Sequence, residues 1–125
     1  MSDENARWAL YPWFEEHGSD LIHPEDLASV RGSMPYGKVF RVLGEEDGFV
    51  RLGYGGTQFR ARPALLVPLT TRAHGVGEAV TLHDGREGEV LEVGWHYQRA
   101  EPFYQLRLEG KKTSKRHWNA DFASG

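Results

Sequence analysis

No cysteine occurs in the 125 residues, which removes disulfide frameworks, thiolate nucleophiles and cysteine-ligated zinc together. Long apolar runs are missing too: Trp8–Phe14 and Ala64–Leu69 are the longest, and each is short and broken by proline. The opening MSDENARW is acidic and has neither the basic start nor the apolar centre of a secretion signal. No two histidines stand at the H-x-x-x-H spacing of a helical zinc site, and no glycine-rich turn leads into Gly-Lys-Ser/Thr. The expectation is a cytoplasmic, soluble protein with no membrane contact and no cofactor.

Glycine and apolar alternation are abundant by contrast. Fifteen glycines and six prolines in so short a chain require many turns and favour β structure over a helical bundle. Hydrophobic residues at 39% and charged residues at 26% suit a folded domain. The net charge is −3, with the cations of the second half bunched at Lys111, Lys112, Lys115 and Arg116. A strip of that kind attracts phosphate or an acidic protein surface.

Three parts follow from the pattern. Residues 1–36 form an aromatic N-terminal segment with one short helix. Pro24 fits its first position, Glu25 and Asp26 its positive end and Gly32 its stop, with Leu27 and Val30 facing inward. Upstream, Trp8, Leu10, Tyr11, Trp13 and Phe14 crowd around Pro12 and are expected to plug one end of a barrel or fill a seam.

Residues 37–70 read as strands Lys38–Leu43, Phe49–Tyr54 and Thr57–Arg62. They are separated by the turns 44–48 and Gly55-Gly56, and Pro68 marks a last strand at an edge. After a linker at 71–77, residues 77–125 repeat the plan. Strands are expected at Ala79–His83, Gly88–His96, Phe103–Leu108 and Thr113–Trp118, with a bulge between Val90 and Leu91 and a tight bend at Asn119-Ala-Asp before Phe122.

Each unit runs strand, turn, long strand, turn, strand, turn, short helical bend and final strand. This order resembles the SH3-like small barrel of the Tudor and KOW type, over 77–122 more fully than over 37–70, which is a strand short. The resemblance implies a mostly β fold of two SH3-like antiparallel barrels in tandem. The strings LYPWFEEHG, LIHPEDL and GKKTSKRHW are similar to those of small uncharacterised bacterial proteins, which implies no activity.

Candidate sites are few. His17 and His23 stand near Glu15, Glu16, Glu25 and Asp26, but their positions suit turn and cap roles better than metal ligation, and a small metal-dependent enzyme ranks third. The hydroxyl residues lie in turns or exposed strands with no base beside them, so no catalytic set emerges. Lys111, Lys112, Lys115, Arg116 and His117, with Trp95, Tyr97 and Phe103 nearby, make the best candidate binding strip. On one continuous strand, Lys115 and His117 share a face and Trp118 turns to the core. The plainer reading is that the cations solubilise a hairpin while the rings fill a small barrel. Convergence of Trp95, Tyr97 and Phe103 would instead make a cage for a methylated cation. The leading expectation is a non-catalytic protein-binding module, an adaptor or inhibitor of a protein partner. A nucleic-acid-binding module using 111–118 stands second, and nothing in the sequence sets an oligomeric state.

Overall fold

The computed structural model describes residues 6–123. The protein is mostly β, with two five-stranded antiparallel sheets and one α-helix among the described residues. It divides into two compact units, Met1–Arg72 and Ala73–Gly125. No helix of the described residues is long and apolar enough to cross a membrane.

In the first unit, strands β1 (Trp8–Leu10), β2 (Phe40–Glu46), β3 (Phe49–Tyr54), β4 (Thr57–Ala61) and β5 (Val67–Leu69) are ordered β4-β3-β2-β1-β5. β1 therefore supplies the strand that 37–70 alone lacks. Trp8-Ala-Leu lies between Phe40–Arg41 and Val67–Leu69. Its next aromatics, Tyr11 and Trp13, are fully buried in this unit's core with Ile22, Val30, Phe40, Val50, Leu52 and Phe59. Phe40 and Phe59 meet edge to face at 5.2 Å, and Tyr11 meets Phe59 at 6.1 Å. Such contacts add about 0.5–1.5 kcal/mol each beyond area burial.

Several boundaries differ from expectation. β2 does not stop at Leu43. A register shift between Val42 and Gly44 makes Leu43 an extra residue, and the ladder resumes through Glu45 and Glu46. Only Asp47 and Gly48 turn, with φ of 51° and 81°, the left-handed pair that a two-residue hairpin needs. The helix α1 (Leu27–Ser33) starts beyond Pro24, because 23–26 closes a turn in which Asp26 N–H donates to His23 O at 2.9 Å. It ends past Gly32, on a left-handed Met34.

That turn covers the free edge of β4. Ile22 bridges Ala61, His23 N–H donates to Arg60 O at 2.9 Å, and Arg62 N–H donates to Leu21 O at 2.7 Å. Asp26 then grips Arg60 three times. Its Oδ2 accepts from the backbone N–H at 2.8 Å and from Nε at 2.9 Å, and its Oδ1 accepts from Nη2 at 3.2 Å. The hydrogen bonds from the Arg60 side chain come first among the causes that hold the Asp26 carboxyl below the usual carboxylate range.

The second unit is built from β6 (Ala79–Thr81), β7 (Glu87–His96), β8 (Glu101–Leu108), β9 (Lys111–Lys112) and β10 (His117–Trp118), ordered β10-β8-β7-β6 with β9 also on β8. The register shift between Val90 and Glu92 puts the bulge at Leu91, where the apolar phase of the sequence slips. Leu82 bridges Phe122, and Ala123 N–H donates to Thr81 O at 2.8 Å, so the chain end returns to the first strand. Val80, Leu82, Val90, Val93, Tyr104, Leu106 and Phe122 are buried. The stretch expected as a linker is ordered from Ala73 onward. Gly77 N–H donates to Val90 O at 2.8 Å, and the His74 ring lies edge-on to Tyr104 and Phe122.

Both units thus share one plan. The first strand pairs with the second, and one turn of 3₁₀ helix precedes the segment that comes back to it: Pro63–Leu65 before β5, and Asn119–Asp121 before the single bridge from Phe122 to Leu82.

Two substitutions test these supports. A Cβ on Gly88 would stand 2.7 Å from the carbonyl oxygen of Arg107 and 2.5 Å from a Leu108 methyl. Gly88→Ala is expected to destabilise the second unit by about 1–3 kcal/mol through this overpacking, seen as faster amide hydrogen exchange in β7 and β8. Asp26→Ala is expected to cost the first unit about 1.5–3 kcal/mol, the range for hydrogen bonds to a charged group. An unchanged urea midpoint would show that the edge cover holds without the carboxylate.

Candidate binding surfaces

The basic strip is not one strand. Lys111 and Lys112 pair with Leu108 and Arg107, the chain bends at Ser114-Lys115, and His117 and Trp118 resume pairing opposite Tyr104 and Phe103. Thr113 pins this arch. Its N–H donates to Leu106 O at 2.9 Å, and its carbonyl accepts from Gln105 Nε2 at 3.0 Å. The bend resets the alternation assumed for 113–118. His117 turns inward at 6% exposure, and Trp118 lies half-buried on the outer face beside Phe103, so the expected core position of Trp118 is corrected.

On that outer face, cations cover rings. Arg99 Cζ stands 3.5 Å from the Trp118 ring centre and Arg116 Cζ stands 4.2 Å from that of Phe103. The two rings are 6.2 Å apart, and His96 meets Trp118 edge-on at 5.5 Å. Arg99 and His96 are not legible as members, because Arg99 is placed by the β7–β8 turn and His96 by the last pair of the β7–β8 ladder, opposite Glu101. Trp95 pairs with Pro102, one position from the Gly94–Phe103 pair, so strand alternation sends Trp95 and Phe103 to opposite faces. Tyr97 is exposed in the turn. These three rings do not share a face, and a methylated-cation cage is not formed by them.

A second surface lies in the first unit, at residues that no sequence motif singles out. A groove of about 220 Å³ is walled by Trp8, Val42, Phe49, Leu66, Pro68 and Leu69, with Arg7 and Glu45 also lining it. It needs β1, β2, β3 and the Pro63–Leu65 turn together, so no local motif announces it. Arg62 Cζ lies 4.1 Å from the Phe49 ring centre and the His23 ring lies 4.9 Å away, which fixes that wall.

The remaining histidines are occupied locally. His17 Nδ1 accepts from Phe14 N–H at 2.9 Å and His23 Nδ1 accepts from Glu25 N–H at 3.1 Å, the cap roles their positions favour. His74 pairs through Nδ1 with Glu78. Among the described residues no three His, Asp or Glu side chains stand close enough to hold a metal ion.

Fold and surfaces together define a tandem protein of two small antiparallel β units. The chain belongs to DUF6960, a family of unknown function whose model matches residues 1–123. No curated protein and no solved structure matches it.

His117 gives the second unit a pH dependence. Burial is the leading cause that lowers its affinity for a proton, and the Lys115 charge adds to this while the Asp121 carboxylate opposes it. Its Nδ1 is buried without a hydrogen-bond partner. Below the ordinary imidazole value of about 6.5, the unfolded chain takes up a proton that the folded unit resists, so stability falls with pH. Urea midpoints at pH 7 and pH 5 are expected to show a larger acid loss in the native protein than in His117→Phe. Equal losses would mean that folding leaves the imidazole's proton affinity unchanged.

Proposed function

We propose that the protein is a cytoplasmic, non-catalytic protein-binding module made of two SH3-like barrels in tandem, and that the groove of the first unit seats an apolar segment of a protein partner. The plan shared by both units, with a 3₁₀ turn before the segment that comes back to the first strand, supports the SH3-like assignment. The groove is the observation that carries the binding role. Its volume of about 220 Å³ is below the roughly 300–1,000 Å³ of pockets that enclose drug-sized ligands. That space holds one or two side chains, the anchor of an extended peptide. Trp8, Phe49, Leu66 and Leu69 offer apolar contact, and a wall already fixed by Arg62 and His23 loses little freedom on binding. Arg7 and Glu45 set opposite charges at the groove, which favours one direction of the bound segment.

Selection of phage-displayed random peptides on the immobilised protein tests this reading. Enriched peptides are expected to share an apolar anchor and to lose at least tenfold in affinity against Leu69→Lys, a variant checked for its fold by circular dichroism. Failure to enrich any sequence, or enrichment indifferent to Leu69→Lys, would refute the groove as a binding site.

A further inference from the structure

We propose that the outer face of β7, β8 and β10 binds single-stranded nucleic acid. Phe103, Trp118 and the guanidinium groups over them receive bases, and Lys112, Lys115 and Arg116 receive phosphates. This site belongs to the second unit and does not rest on the groove of the first.

The argument begins with which charges are matched. Arg86 pairs with Asp84, Arg99 with Glu101 and Arg107 with Glu89. Lys111, Lys112, Lys115 and Arg116 make no ion pair among the described residues, and all four are exposed. Four unmatched cations within six residues repel one another, and the arch pinned by Thr113 and Gln105 stops them from dispersing along an extended strand. A polyanion relieves that repulsion and releases its own counterions on binding.

Charge alone would serve an acidic peptide equally well; the rings decide between the two. Phe103 and Trp118 are cross-strand neighbours on the open side of the sheet, each with an arginine laid over it. A guanidinium stacked on a ring extends the platform outward, and bases stack on guanidinium planes as they do on aromatic rings. Arg116 belongs to both sets, since it is one of the unmatched cations and also covers Phe103. Lys112 faces Arg107, four residues along β8 from Phe103. That is about 13 Å at the rise of a strand, so phosphate and base contacts fall along one line. An acidic peptide would leave the stacked platform unused.

The test is fluorescence anisotropy of the full chain with labelled oligothymidylate of about twelve nucleotides, within the site sizes of small barrels. A polyglutamate peptide of equal charge serves as the rival ligand. Three phosphate contacts predict a log–log salt slope of about −2.1, an affinity loss of about 20-fold between 50 and 200 mM salt. Replacing Lys111, Lys112, Lys115 and Arg116 together by glutamine is expected to flatten that slope. Phe103→Leu, on the outer face and outside the buried core, is expected to weaken the oligonucleotide about tenfold and to leave polyglutamate unaffected. No binding at 50 mM salt would overturn the proposal. So would polyglutamate binding as tightly as the oligonucleotide, or an oligonucleotide affinity unchanged by Phe103→Leu; either of these would assign the strip to acidic proteins.

Discussion

A long open strand edge is a liability in units this small, and how one edge of each sheet is covered shapes both. An open edge exposes a row of unpaired N–H and C=O groups. In the first unit, Leu21–His23 lies along β4, and Asp26 locks it there by holding the backbone and side chain of Arg60 at once. The same excursion that covers the edge delivers Tyr11, Trp13, Ile22 and Val30 to the core. The second unit solves the problem with its chain end, which returns through Phe122 to Leu82.

The two solutions leave different interiors. Between β1 and β2 the first unit carries a long excursion rich in aromatics, and its core is almost wholly apolar. Between β6 and β7 the second unit has only a tight turn, in which Gly85 takes a φ of 93°. Polar groups then reach inside. Tyr104 is fully buried, and its hydroxyl donates to Asn119 Oδ1 at 2.6 Å and accepts the His74 N–H at 3.1 Å. His117 is buried with one nitrogen unpaired. Burial of the His117 imidazole makes the second unit lose stability in acid, while the first unit buries Tyr11. Burial pushes its hydroxyl up to about 12, and the hydroxyl donates to Arg62 O at 2.7 Å.

Strand identity was legible wherever alternation ran for five residues or more, as in Phe49–Tyr54, Thr57–Ala61 and β7, where even the bulge at Leu91 showed as a slip of apolar phase. β1 was not legible. Three residues carry no period, and Trp8-Ala-Leu becomes a strand only because β2 and β5 flank it. The acidic run after Leu43 looked like a turn because its bulge precedes it and its true turn is only Asp47-Gly48. In the basic strip the residue types are legible and their directions are not. A bend at Ser114-Lys115 breaks the phase, exchanging the expected places of His117 and Trp118. The groove of the first unit had no local signature at all, since its walls come from strands far apart in the chain.

Pro68 has a consequence beyond the geometry of β5. This three-residue strand is the uncovered end of the first sheet's order, with Val67 43% exposed beside the proline. A ring nitrogen without hydrogen removes one donor from an already short ladder. A neighbouring copy finds too few backbone partners there to add its own strand. The chain can therefore keep an apolar, strand-rich rim at high concentration without offering a seed for fibrils.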